Sequence, residues 1–198
     1  MGLSRAWRWL RPACVVAVVA LAGCGGPGSE TSRTAPQVAP AARPASVPGA
    51  GLAAPVQGDA QVMGMLAAFE QNEIDLAQQA IARQLGGDAE TFARGMLRDH
   101  QRALEQVQQR SPQETEQSRA LRARGQATAA SVDMEDDTGQ FRNAFLRAAA
   151  ADYGDALKMM DAEWLPAASS DDTRAYLSGV RKRLAHGYEQ AYSLVSTR

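Results

Sequence analysis

From residue 59 onward the chain is predicted to be all-α, and three observations carry that expectation. Apolar residues recur at three- and four-residue spacing over long stretches, Pro occurs there only at positions 112 and 166, and no run of alternating β-branched residues breaks a texture of Ala, Gln, Arg, Glu and Leu. About 140 residues are enough for one domain around a single core, so residues 59–198 are expected to form one domain.

The first long helix is expected from Asp59 to Leu85, with Val62, Leu66, Phe69, Leu76 and Ala80 on one face and Gly86 and Gly87 as its stop. Asp88 then caps the second, whose stripe is Phe92, Met96, Leu97, Leu104 and Val107 and which continues to about Arg110. So short a link makes these two an antiparallel pair. Ser111, Pro112 and Glu114 have the form of a capping box with proline in the first turn, and open a weaker helix that fades before the acidic stretch 133–137. This segment is the expected crossover. Asp137 with Gln140 caps the third long helix, whose apolar line of Phe145, Leu146, Ala149, Tyr153, Leu157, Met160 and Trp164 stops at Pro166. Ser170 opens the fourth, with Tyr176, Leu177, Val180, Leu184, Ala191 and Leu194 on its buried side. Two antiparallel hairpins joined by a long helical crossover between the second and third long helices define an antiparallel four-helix bundle of the ferritin-like type. Gly95, Gly154, Gly179 and Gly187 interrupt these helices at about 1 kcal/mol each relative to Ala, and their expected use is close helix approach.

The amino-terminal residues have a different character. Arg5, Arg8 and Arg11 precede an apolar stretch from Ala13 to Ala22, the order of charge and hydrophobe found in Sec-type export signals. A spanning helix needs roughly 20 apolar residues, and this run is shorter, ending in Leu21-Ala22-Gly23-Cys24 before Gly25, Gly26 and Pro27. Leu-Ala-Gly-Cys resembles the lipobox of bacterial lipoproteins. The resemblance implies cleavage between Gly23 and Cys24, so that residues 1–23 are a signal peptide, and acyl chains on Cys24 that attach the chain to a membrane. An ordinary signal peptide, or an uncleaved anchor in which Cys24 is incidental, is the alternative. Each buried methylene of an acyl chain contributes about 0.8 kcal/mol, so several chains make a durable anchor. Gly25, rather than Asp, follows the cysteine, which by resemblance to enterobacterial sorting implies the outer membrane, with the domain facing the periplasm.

Residues 24–58 are expected to be a tether. Six prolines from Pro27 to Pro55 lie among Ala, Gly, Ser and Thr with no aromatic residue, a composition that cannot support a core. As a flexible coil such a segment spans about 30 to 35 Å, and about 100 Å if drawn into polyproline II.

Charge and cysteine usage exclude whole classes of function. The chain has 21 basic and 22 acidic residues; the signal removes three arginines and no acid, leaving a mature net charge of −4. Nucleic-acid binding needs clustered Lys and Arg, so no nucleic-acid partner is expected. Cys14 leaves with the signal and Cys24 is acylated, so disulfides, thiolate metal sites and cysteine nucleophiles are excluded from the mature chain. A Gly-x-Ser-x-Gly elbow, a phosphate-binding loop and a His-Glu-x-x-His helix are all missing, and the chain has two histidines.

Phe69-Glu70-x-x-Glu73-Ile74 and Phe92-Ala93-x-x-Met96-Leu97-x-Asp99-His100 resemble an exported bacterial family called domain of unknown function 4142, over about residues 60–197. The resemblance implies a ferritin-like bundle outside the cytoplasm and no established reaction. Members of that family usually carry further histidines on the third and fourth long helices. Here Tyr153 stands at the first of these positions and Gly187 at the second, with His186 one residue out of register.

Stepping 100° per residue places Glu73 in the seam between Phe69 and Leu76, and His100 between Met96 and Leu104, both inward. Buried ionisable groups need partners, so Glu73 and His100 are expected to meet each other, a metal or a water. Asp99 lies one position round the helix and Asp152 beside the apolar line of the third helix. A single divalent ion on Glu73, His100, Asp99 and Asp152, or a copper ion drawn to the methionines near His100, is the metal-bound alternative to a structural hydrogen-bonded pair. A di-iron centre would need Glu-x-x-His, but Leu97 and Arg183 stand three residues before His100 and His186. Glu70 is expected on a solvated face, and His186 in solvent. Two functions follow: a non-enzymatic envelope lipoprotein whose bundle binds a protein partner or acts structurally, or a bundle holding one metal ion for redox or stress defence.

Overall fold

The computed structural model describes residues 55–196. The expected signal peptide, the Gly23–Cys24 cleavage site and tether residues 24–54 lie outside the described residues. The described chain runs α1 (Asp59–Ala82), α2 (Gly87–Gln108), α3 (Glu116–Asp133) and α4 (Thr138–Met159). A π-helical turn (Met160–Trp164), the single turn α5 (Leu165–Ala167) and α6 (Asp171–Ser196) complete it. No strand occurs among the described residues, and none of their helices is long and apolar enough to cross a membrane.

The long helices α1, α2, α4 and α6 form the expected four-helix bundle, with α1 packed on α2 and α4 on α6. α3 is the crossover, and it runs parallel to α1 along its outer side. Its faint apolar pattern is explained by how it docks, since only Ser118, Leu121 and Val132 are buried. Polar side chains make up the difference. Asn72 donates to the Leu121 carbonyl at 3.0 Å, Arg122 bonds Asn72 and Asp75, Gln79 reaches the Ala129 carbonyl at 3.2 Å, and Arg83 pairs with Asp133 at 3.0 Å. Covered by α2, α3 and α4, α1 is buried over much more than one stripe. The core continues into Phe141, Phe145, Leu146, Met160 and Trp164, all fully buried. Val56, ahead of α1, is buried with them, and Gly58 N–H donates to the Ala167 carbonyl at 3.1 Å, so the last tether residues are laid onto the domain.

Several helix ends differ from expectation. α1 stops at Ala82, three residues short of Leu85, and the chain reverses through Gln84, Gly86 and Gly87, all at positive φ. Gly86 rather than Asp88 caps α2, because the Glu90 carboxylate returns to accept from the Gly86 N–H at 3.0 Å. The capping box of α3 is Thr115 with Ser118, each side chain accepting from the other's backbone, while Ser111 to Glu114 form the connection before it. Asp137 accepts from the Gln140 N–H at 2.9 Å and Ser170 from the Thr173 N–H at 3.1 Å, as the sequence implied. Pro166 does not stop the helix, which continues to Ala167. The wide π turn before it re-routes the backbone ladder, with Leu165 N–H bonded to the Met160 carbonyl, and so accommodates a residue that lacks an N–H.

Candidate functional site

The site grows from one heptad pattern. On α2 the buried positions are Ala89, Ala93, Met96, His100, Ala103 and Val107, alternating four and three residues apart. Phe92, Leu97 and Leu104, expected in the core, are half-buried instead because small alanines occupy the seam against α1. His100 is the polar member of that seam and is 6% exposed.

Both ring nitrogens of His100 are engaged. Nδ1 contacts the Glu70 carboxylate of α1, and Nε2 lies 2.7 Å from the Tyr153 hydroxyl of α4. Burial, with the negative charges of Glu73, Glu70 and Asp99, pushes the Tyr153 phenol well above its ordinary value. The Tyr153 hydroxyl and the Glu70 carboxylate thus occupy the two ring nitrogens between them. The Tyr153 ring stacks on His100 with centroids 5.6 Å apart, and Phe69 closes the imidazole edge-on at 5.7 Å.

The sequence placed His100 inside correctly and named the wrong partner. Glu70, expected on a solvated face, is 1% exposed and bonds His100; Glu73, also 1% exposed, has an Oε2 without a hydrogen-bond partner. α1 is covered on so many sides that both carboxylates three residues apart fall inside. Asp99 is exposed and faces Arg102 at 3.8 Å, and Asp152 is half-buried on α4. Among the described residues no three His, Cys, Asp or Glu side chains gather as a metal ion would require. His100, with both nitrogens bonded, offers no free lone pair, so these donors do not fit a resident metal as they stand.

The two positions at which the family resemblance fails are neighbours in space. A Cβ on Gly187 would lie 2.8 Å from Cζ of Tyr153, so the missing side chain on α6 makes room for the Tyr153 ring.

Above Glu70, His100 and Tyr153, α2 and α6 leave an open groove of about 780 Å³. Met96, Ala103, Val180 and Leu184 give it an apolar floor, and Arg98, Lys182 and Arg183 stand on its rim. His186 is exposed as expected, yet it lines the same groove, so both histidines of the chain border one cavity.

The fold and site define an all-α bundle that holds a buried Glu–His–Tyr chain beneath an interhelical groove. The chain belongs to the family described as Domain of unknown function (DUF4142), whose model matches residues 44–194. Comparison with curated proteins and with solved structures finds no match.

Glu73 gives the site a pH signature. Burial above all, then the charges of Asp152 and Glu70, raises its carboxyl well above the ordinary range; burial and Asp155 raise Asp152 to about 6. A carboxyl whose folded value is raised keeps its proton in the fold after the unfolded chain has lost it. Stability from it is therefore full below the unfolded value and declines as pH rises, by about 1.4 kcal/mol per pH unit and group within that window. Urea unfolding is expected to show this decline from pH 4 to 6 for Asp152 and further upward for Glu73. Glu73→Gln, an uncharged isostere, should flatten the upper part; an unchanged profile would show that Glu73 is ionised in the fold.

Proposed function

We propose that the protein is a cell-envelope lipoprotein, acylated on Cys24 and held at the outer membrane, whose bundle faces the periplasm as a non-enzymatic binding module. The groove between α2 and α6 carries this reading. It has the size of small-molecule sites, an apolar floor and a few polar groups beneath it and on its rim. The residue best suited to acid–base chemistry, His100, is bonded at both nitrogens and serves to orient Tyr153 and satisfy Glu70. The membrane part of the reading rests on the lipobox-like Leu21 to Cys24 and on Gly25.

Two measurements test it. Palmitate labelling of the membrane fraction should be lost in Cys24→Ser; label retained there would remove the anchor. Nile red, an uncharged probe, should bind the folded protein once per chain and be excluded by Gly95→Trp. A Cβ at residue 95 meets nothing closer than the Arg98 guanidinium at 3.9 Å, so the indole has room to enter the groove. Equal binding by both chains would place the probe elsewhere and end the groove reading.

A second reading, one metal ion for envelope redox or stress defence, is favoured by a single observation, the unpartnered Glu73 Oε2. It requires Tyr153 to release Nε2 of His100. Stoichiometric metal in the purified protein, lost in Glu73→Ala, would support it; a metal-free protein whose stability ignores chelator would remove it.

A further inference from the structure

We infer that the α2/α6 groove takes an anionic amphiphile, with a carboxylate or similar anionic head and an apolar tail; this rests on the groove being a binding site. The argument is the way charge is distributed along it. Phe92 approaches Phe145 and His100 bonds Tyr153, so α2 and α4 run parallel; Asp161 pairs with Arg181 and Tyr153 meets Gly187, so α4 and α6 run antiparallel. α2 and α6 are therefore antiparallel across the groove. The stretch near Ala103 faces Val180 to Leu184, and the stretch from Phe92 to Arg98 faces Gln190 to Leu194.

Lys182 and Arg183 stand at the first end, exposed and without an ion pair among the described residues, and Arg98 lies further along, its guanidinium turned toward Gly95. Of the acidic side chains bordering the groove, Glu70 is bonded to His100, Asp99 faces Arg102, and Asp88 lies at the opposite end. One end thus offers two adjacent uncompensated cations, and apolar surface from Met96, Phe92 and Leu194 leads away from them. A head-and-tail anion matches both features at once, whereas a simple anion would leave the apolar length unused and a cationic amphiphile would meet repulsion.

The test is calorimetric titration of the full chain carrying Cys24→Ser with decanoate, decyltrimethylammonium and acetate below micelle-forming concentrations. Decanoate is expected to bind once per chain, at least tenfold more tightly than either of the others. The exposed double variant Lys182→Glu/Arg183→Glu should weaken decanoate at least tenfold while leaving Nile red binding unchanged, and Gly95→Trp should abolish both. Equal affinity for decanoate and decyltrimethylammonium, with both lost in Gly95→Trp, would overturn the anionic preference and leave the groove reading intact. Acetate binding as tightly as decanoate would reduce the site to a simple anion site and overturn the amphiphile. No binding of decanoate or Nile red would end both readings together.

Discussion

His100→Ala is expected to destabilise the bundle by about 3 to 5 kcal/mol, the usual cost of removing one partner from a buried pair. In a domain of this size that lowers the melting temperature by roughly 10 °C. Among the described residues the imidazole is the one bonded partner of the Glu70 carboxylate, which is 1% exposed. Its removal leaves that group and the Tyr153 hydroxyl buried with nothing to bond. Tyr153→Phe deletes one hydrogen bond while keeping the ring against His100 and Gly187, and should lose only about 1 kcal/mol. Because the penalty in His100→Ala is mostly the stranded carboxylate, Glu70→Leu/His100→Leu should recover most of it. Thermal melts of the four chains decide the matter. A His100→Ala protein within about 1 kcal/mol of the parent would mean that water reaches Glu70 and that the pair is not structural.

The bundle was legible because its long helices carry redundant signals. Leu66, Phe69 and Leu76 on α1 and Phe145, Leu146 and Ala149 on α4 give period and burial together, and Asp137 and Ser170 mark helix starts by a local bond that needs no tertiary context. Where the signal was weak, the cause is physical. α3 docks through Asn72, Asp75, Gln79 and Arg83, which read as ordinary surface until α1 is known to have a neighbour there. Pro166 reads as a stop because a sequence does not announce a π turn.

The site was half legible for a related reason. Helical period placed His100 and Glu73 inside, but period describes one helix, and pairing is settled by the axial offset between two. That offset sets His100 against Glu70, one turn from Glu73. Tyr153 and Gly187 each looked like the loss of a ligand when taken alone; together they are one substitution in space, an aromatic ring entering the volume that a side chain on α6 would fill. Gly95 and Gly179, expected to bring helices together, do not. Their nearest neighbours are arginines on their own helices, at 3.9 and 4.0 Å. Gly64 and Gly125, which the periodic reading passed over, are the ones that permit close approach to α1.

Gly64 gives the second large effect, and it separates close packing from mere helix propensity. A Cβ there would lie 1.9 Å from the carbonyl oxygen of Gln113 and 2.8 Å from its carbon, so the obstacle is backbone and cannot rotate away. That backbone is also pinned, since Gln113 N–H donates to the Ala60 carbonyl at 2.8 Å. Ala at 64 must therefore push the connection before α3 off α1, breaking this bond and loosening the Thr115 cap that follows. Alanine's better helix propensity returns only about 1 kcal/mol, against overpacking costs of about 1 to 3 kcal/mol that grow when backbone must move. Gly64→Ala is expected to destabilise by about 3 kcal/mol, and hydrogen exchange at the Gln113 amide should quicken. Gly95→Ala faces open space and should instead stabilise by up to about 1 kcal/mol. Opposite signs in urea unfolding are the diagnostic result; a neutral Gly64→Ala would show that the connection 111–115 is not held against α1 as described.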